Sequence, residues 1–572
     1  MKIMDIQQNI FNNYDCFEEI LKHLIDDPGT LFYCLLVNRH WCRVAVPLLW
    51  SRPFEYHGFG EPAADIIQIY VSCLPEVERQ LLIDEGLDLP PLRCPLFDYP
   101  KYLQSFESAH FTGAVMSWLS TKVKSWLSFI EGREPDLYSN TYLVQTVIGN
   151  LLFSRSKGLK DLDIVHFDED DDSLIADITS FDDSNKTLSR LEKFQFDYSG
   201  WAEQEDKSSE IISNLFNFMS KWTRNIQHIY ISITILSNPE LEFPQIAQSF
   251  AQLIESQRSL RELIIMGFWT PSTAITLFNA LTTQANSLTF LRIHELYQDQ
   301  FLFLLNILPT LKNLETLQFW GFSGEYDESI KVSTKHGGII TNQINIKNLH
   351  YKAEKSQIDV FNYMGPLIQM AGSNLKTLSL ESVTPELCLL IGQSCPNVTH
   401  LSLSLTTNEI PDSIFHLLSS ITNLLHFSLY IYSSDVPFAT TESLTQFSLS
   451  IPPSLVYFGF YLAITPCVLE YFLKHCQAKL QVLAVYRSEI IDENLITVIK
   501  NYKEERDSLR KLLIDPGVNT YEGSVISKAL IEANQIIPII NTVIDNSYSF
   551  SGPEYESFVD LWNQDIILSP EL

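Results

Sequence analysis

The 572-residue chain is short of charge: 19% of it is Asp, Glu, Lys or Arg, while 45% is hydrophobic. That balance excludes a disordered chain, which is poorer in apolar residues and denser in charge. Positive charge is scarcest. Lys and Arg number 39 against 69 Asp and Glu, a formal net charge of −30, so a phosphate backbone or an anionic lipid surface meets repulsion. No nucleic acid and no membrane is expected as a partner. Glycine (21) and proline (26) are ordinary in number, which removes collagen-like and low-complexity classes. Nine cysteines, an odd count with no C-x-x-C pair, speak for buried thiols in a reducing compartment rather than a disulfide framework. No run of 18 apolar residues occurs, and the opening Met1-Lys2-Ile3-Met4-Asp5 carries no secretory core. A cytoplasmic and/or nuclear location is expected.

Catalytic signatures are missing too. Neither G-x-x-x-x-G-K-[ST] nor G-x-G-x-x-G occurs, so no nucleotide site has local support. His294-Glu295-Leu296-Tyr297-Gln298 begins like a zinc-protease helix but has Gln298 where the second histidine is required; a turn after the strand 288–293 is the expectation there. Gly321-Phe322-Ser323-Gly324 is one residue short of a nucleophile elbow. The thirteen histidines show no ligand spacing. No catalytic residue, no metal and no cofactor is expected, and the chain reads as a non-enzyme.

What is present is a repeat. From residue 159 a six-residue unit with apolar first, fourth and sixth positions recurs. Clear copies are Leu260-Arg-Glu-Leu263-Ile-Ile265, Leu288-Thr-Phe-Leu291-Arg-Ile293, Leu314-Glu-Thr-Leu317-Gln-Phe319, Leu375-Lys-Thr-Leu378-Ser-Leu380 and Leu480-Gln-Val-Leu483-Ala-Val485. Looser copies start at Leu159, Leu191, Ile226, Ile346, Val398, Leu424, Leu444, Leu455 and Leu509, with Leu444 and Leu455 counted as one irregular unit. The fourth and sixth positions share one face of a strand. Between them run helix-like stretches such as Ile211, Leu215, Phe218, Met219 and Trp222, or Leu277 and Leu281. A mean spacing of about 29 residues fits one strand and one helix per unit. The fold class expected is therefore α/β, a solenoid with parallel strands on the concave face and helices outside. Twelve or thirteen strands about 4.8 Å apart would line about 60 Å of arc, a surface suited to a protein ligand. Arg261, Thr289, Lys376 and Thr399, the non-apolar positions of these units, are the target-binding candidates. Asn or Cys three residues past the hexad is absent: Phe268, Phe322 and Val383 stand there.

Residues 12–57 follow a different pattern. Asp15 and Glu18 suggest a helix start, and Phe17, Ile20, Leu21 and Leu24 lie at i, i+3, i+4 and i+7. Asp26-Asp27-Pro28-Gly29 is a turn, Thr30 a cap for a second helix with Leu31, Leu35 and Leu36, and Trp41, Val44 and Ala45 mark a third that Pro47 interrupts. Forty residues bury little by themselves, so a partner or the following segment is needed.

The strings Cys16-Phe17-Glu18-Glu19-Ile20-Leu21-Lys22-His23-Leu24 and Val37-Asn38-Arg39-His40-Trp41-Cys42-Arg43, followed by Leu49-Trp50, closely resemble the F-box in its fungal form. Likewise, Cys395-Pro396-Asn397-Val398-Thr399-His400-Leu401-Ser402-Leu403 resembles the leucine-rich repeat of intracellular F-box proteins. The family's opening Leu-Pro pair is replaced by Asn12-Asn13. The resemblance implies a three-helix F-box (12–57) and a leucine-rich-repeat solenoid (159–514); the helical patterns of 58–158 read as a connector and N-terminal cap, and 515–572, where the repeat is lost, as a C-terminal cap. The resemblance also implies the role of substrate receptor in an SCF-type ubiquitin ligase, bound to the adaptor subunit and through it to a cullin, with the repeats on a target protein. Candidate adaptor contacts are Phe17, Ile20, Leu21, Leu24, Leu35, Leu48, Leu49 and Trp50; Val37 and Trp41 are candidates for the module's core. A repeat scaffold with a degenerate F-box and no ligase role is the alternative. The acidic run Asp168-Glu169-Asp170-Asp171-Asp172, with Asp177, Asp182 and Asp183, reads as a solvated loop or as a lure for basic targets.

Overall fold

Thirteen of the fourteen hexad starts stand two residues ahead of a β-strand. The exception is Leu444, which lies inside the helix Thr441–Ser450 and packs there as a core residue. The structure, a computed structural model, describes residues 14–55, 60–87, 89, 94–122, 137–167, 178–200, 205–235, 244–267, 271–322, 343–352, 360–405, 410–431, 441–461, 464–486, 493–515 and 539–541. The acidic residues 168–172 and 177, Asn12-Asn13 and most of 515–572 lie outside them. Among the described residues no helix is long and apolar enough to cross a membrane.

The chain divides into two compact units, residues 1–288 and 289–572. In the first, three short helices, α1 (Tyr14–Lys22), α2 (Pro28–Val37) and α3 (Arg39–Leu49), are followed by α4 (Glu61–Cys73), α5 (Glu76–Asp84), β1 (Ser105–Glu107), α6 (Ser108–Lys122) and α7 (Leu137–Arg155). Then come β2 (Asp161–Phe167), α8 (Ser184–Leu188), β3 (Lys193–Gly200), α9 (Glu205–Trp222), β4 (His228–Ile235), α10 (Pro244–Ser256), β5 (Glu262–Gly267) and α11 (Pro271–Leu281). β1 to β5 pair in chain order, all parallel. β1 falls in the segment read as a helical connector; at three residues it is too short to show a period of two. The sheet thus begins before residue 159.

The second unit continues the pattern: β6 (Phe290–Leu296), α12 (Gln298–Ile307), β7 (Thr316–Phe322), β8 (Asn348–Lys352), α13 (Val360–Ala371), β9 (Thr377–Leu380), α14 (Pro385–Ser394) and β10 (His400–Leu405). It ends with α15 (Asp412–Ser420), β11 (His426–Ile431), α16 (Thr441–Ser450), β12 (Tyr457–Tyr461), α17 (Pro466–His475), β13 (Val482–Tyr486), α18 (Glu493–Arg506), β14 (Lys511–Asp515) and β15 (Ile539–Asn541). These strands also pair in order and in parallel. β15 lies in the segment expected to have lost the repeat.

The hexad's chemistry explains the regularity. Leu260, Leu263 and Ile265 are all essentially buried, as are Leu314, Leu317 and Phe319. Each contributes roughly 1.5–3 kcal/mol of apolar burial, and the helices cover that face. On α9 the buried stripe is Ile212, Leu215, Phe216 and Met219, one residue around from the expected one, and Trp222 is exposed. His294 is in β6 rather than in a turn. A second regularity is made by the backbone. The carbonyl of the residue before most of the described strands accepts two N–H groups from the next repeat: Lys160 from Glu192 and Lys193, Glu192 from Gln227 and His228, Gln227 from Arg261 and Glu262. The same fork recurs at Thr289, Glu315, Lys347, Lys376, Thr399, Leu425, Val456 and Gln481. These forks satisfy backbone groups where the strands begin, at the opposite end from Phe268, Phe322 and Val383.

Candidate protein-interaction surfaces

The three N-terminal helices are set by two caps. Asp27 accepts from the Thr30 N–H at 2.9 Å and from its hydroxyl at 2.6 Å, so Asp27, not Thr30, caps α2, and these bonds lower the carboxyl's pKa. Asn38 caps α3 by accepting from His40 and Trp41. Pro47 sits within α3 and does not interrupt it. The helices close around Phe17, Leu21, Leu31, Cys34, Val44, Ala45 and Leu48, with Leu24, Leu35, Trp41 and Leu49 packed on the margin. Phe17 lies 4.7 Å from the Trp41 ring and 5.7 Å from His40.

This placement corrects the assignment of surface and core. Phe17, at 1% exposure, Leu21 and Leu48 are interior residues and make no outward contact. Leu24, Leu35 and Leu49 are partly covered by the same cluster. Trp50 packs on Tyr99 at 4.3 Å and Tyr70 at 5.4 Å, joining the module to the segment after it. Ile20 is 47% exposed, and Val37, expected in the core, is 56% exposed at the C-terminal end of α2. Phe32, Tyr33 and Leu36 on α2 are exposed as well. At i, i+1, i+4 and i+5, Phe32, Tyr33, Leu36 and Val37 share one side of that helix. Sequence reasoning passed over them because α2 is apolar all round, so its inward stripe of Leu31 and Cys34 does not stand out from its outer one.

The module is not suspended on a tether. The Ser51 carbonyl accepts from Gln104 and Ser105, and the Gln104 carbonyl from Lys160 and Asp161, the fork that governs the repeat. Phe54 adds ring contacts to Tyr70, Phe106 and Phe111 at 5.2–6.3 Å.

The sheet face away from the helices is the second surface. In the first unit its residues alternate half-buried with buried partners, as in the burial of β5. It carries Glu107, Asp163 and Asp197, whose pKa values burial raises; Asp163 is pushed up to about 6, with the neighbouring Glu107 carboxylate adding to the effect. Asp163 accepts from Gln195 at 2.9 Å.

In the second unit that face is mixed over β6 to β8 and largely buried over β9 to β13, with His400 and His426 half-buried. Thr377, Ser379, Ser402, Ser404, Ser428, Tyr430, Tyr457, Tyr461, Val482 and Ala484 are all below a tenth exposed. The register explains it. Ser379, Ser402, Ser428, Gly459 and Ala484 form one row across neighbouring strands, and aromatic rows flank them: His400 on His426 at 4.2 Å, His426 on Tyr457 at 5.4 Å, Tyr430 on Tyr461 at 3.8 Å. A Cβ on Gly459 would meet the Tyr461 ring at 2.9 Å and the Tyr457 ring at 3.3 Å, so those rings lean over the small row. Near β6–β8, Arg292 donates to Gln318 at 2.7 Å and stacks on Trp320 at 4.8 Å; His294 lies 4.3 Å from the same ring. Burial, then the Arg292 and Lys352 charges, lower the His294 pKa to about 3. Burial, then Arg292, takes His350 to about 3. Burial, then His400, takes His426 to about 4.

Arg261, Thr289, Lys376 and Thr399 are not on this face. Each precedes its strand by one residue and belongs to the backbone fork, which puts all four on the rim where the strands begin. Among the described residues no group of three His, Cys, Asp or Glu is placed to hold a metal.

No protein-family profile matches the chain, and no curated protein matches it. Among solved structures, one from the yeast Rad7 and Elc1 complex is similar over 68% of this chain and 82% of the matched one, at 14% identity and a TM-score of 0.35.

Proposed function

We propose that this chain is the substrate-recognition subunit of an SCF-type E3 ubiquitin ligase. The three-helix module, read as an F-box, holds the adaptor and through it a cullin; the repeats hold the protein to be ubiquitinated. The observation that carries the reading is the V-N-R-x-W-C-R string within a module whose α2 exposes Phe32, Tyr33, Leu36 and Val37 together. Contiguous apolar exposure on a small module marks a protein contact. On this reading the adaptor contacts are those four and Ile20. The chain itself is not an enzyme and needs no cofactor, and it works in the cytoplasm and/or nucleus. Its −30 charge favours a basic target.

The test is co-purification of adaptor and cullin with the full chain and with Phe32→Glu/Leu36→Glu. Both proteins should follow the native chain, and recovery should fall about tenfold or more in the double variant, while Val77→Glu on α5, also exposed, retains them. A native chain that captures neither removes the ligase reading. The scaffold reading then stands; it draws on one observation, that Phe17, Leu21 and Leu48 all turn inward.

A further inference from the structure

The first unit contains a local reversal of the chain's charge. A cleft of about 760 Å³ opens where α1 and α3 meet the segment 101–104, the loop 157–160 and the turns before β3 and β4. Arg43, Lys101, Lys157, Lys160 and Arg190 line it, against the carboxylates Glu18 and Glu192. Five cations to two anions contrasts with 39 to 69 in the whole chain. Glu18 is itself engaged by Lys22 at 3.4 Å, which leaves Glu192 to face the five. Among the described residues none of the five cations has a carboxylate within salt-bridge distance; Lys101 lies 4.9 Å over the Tyr102 ring.

The fold brings these charges together from four separate stretches of chain. Lys160 and Glu192 occupy successive rungs of the backbone fork, about 4.8 Å apart as neighbouring strands are. Gly158, with φ +130°, lies under Arg190: a Cβ there would meet the Arg190 Cδ at 2.6 Å. Both the backbone angle and the close approach call for glycine, and the Arg190 stem packs on this loop beside the cleft. Five cations gathered around one uncommitted carboxylate repel one another, and an anion placed among them relieves that repulsion.

We infer that this cleft binds a compact anion carrying two or more phosphoryl groups, free or displayed on a peptide. Two arginines supply the planar forks that grip phosphate oxygens in pairs, and three lysines supply point charges around them. The volume suits a ligand of small-molecule size. The net −30 beyond the cleft disfavours an extended polyanion such as nucleic acid. This inference does not rest on the ligase reading, because it concerns the isolated chain.

The experiment is calorimetric titration of the full chain, at low salt, with tripolyphosphate and with a doubly phosphorylated serine peptide, its unphosphorylated form serving as blank. Arg43→Glu/Arg190→Glu is compared with Lys312→Glu/Lys479→Glu, an exposed pair elsewhere that changes net charge equally. The expected result is binding of at least one phosphorylated probe, weakened about tenfold or more by the cleft variant and about twofold or less by the control. Tripolyphosphate alone would identify a free ligand, the peptide alone a displayed one. Lys157→Gln/Lys160→Gln, a milder change on the loop, should weaken binding severalfold with thermal unfolding unchanged. No binding of either probe, equal weakening by cleft and control variants, or tighter binding of a single-stranded oligonucleotide overturns the inference.

Discussion

The two units are built from the same strand-and-helix repeat, yet the helix-free face of β1 to β5 in the first and that of β9 to β13 in the second are treated in opposite ways. In β1 to β5 that face is mostly half-exposed and carries carboxylates; Ser232 is its buried exception. In β9 to β13 it is buried apart from the half-buried His400 and His426. Side-chain size contributes to the difference, and Trp320 packs against the same cluster of Tyr430, Tyr457 and Tyr461. Serine, glycine and alanine in one row let histidine and tyrosine from the adjacent rows close over them, whereas the matching row of the first unit holds Asp163, Gln195, Tyr230 and Ile264, all half-buried. A parallel strand buried on both faces loses its period of two, and that is what β12, Tyr-Phe-Gly-Phe-Tyr, displays.

Acidification should separate the units most. His294, His350 and His426 have folded pKa values of about 3, 3 and 4, below the unfolded value. The unfolded chain therefore binds more protons between about pH 6.5 and 4, and the stability these histidines contribute is lost as pH falls through that window. Asp163, raised to about 6, has the opposite sign: the folded state binds more protons between about pH 6 and 4, and stability grows as pH falls. A fully shifted group changes stability by up to about 1.4 kcal/mol per pH unit. Hydrogen exchange at matched intrinsic rates should show protection of β6–β11 falling relative to β2–β3 between neutral pH and about pH 5; parallel changes would defeat the comparison.

Tyr461→Ala removes a buried, stacked ring and should destabilise the second unit by about 2–4 kcal/mol, read as a lower denaturation midpoint. Gly459→Val pushes a branched side chain into the space held by the Tyr457 and Tyr461 rings and should cost about 1–3 kcal/mol. In the first unit Ile264→Ser, on a half-exposed position of β5, should cost about 1 kcal/mol or less. If its cost matched that of Tyr461→Ala, the two faces would not differ in the way described.

The strands of the repeat were legible because the hexad is a local pattern: its first, fourth and sixth residues meet the core wherever the unit occurs. β1 and β15 were not, since three residues are too few to show a period. The site was legible in part. The F-box-like string marks the module, but Phe17, Leu21 and Val37 exchange places between core and surface. A helix apolar on every side does not say which side is covered until its neighbours are in position.

Composition and periodicity alone determined the class of molecule: a weakly charged α/β repeat preceded by three short helices, with no local signature of catalysis. The tertiary structure decided which faces are open. Burial of the helix-free face in the second unit depends on side chains meeting across strands some 25 to 30 residues apart in sequence. The basic cleft in an acidic chain depends on Arg43 and Arg190 being brought together across nearly 150 residues. Contacts between residues distant in the chain leave no periodic trace, and those contacts determine where a ligand can reach this protein.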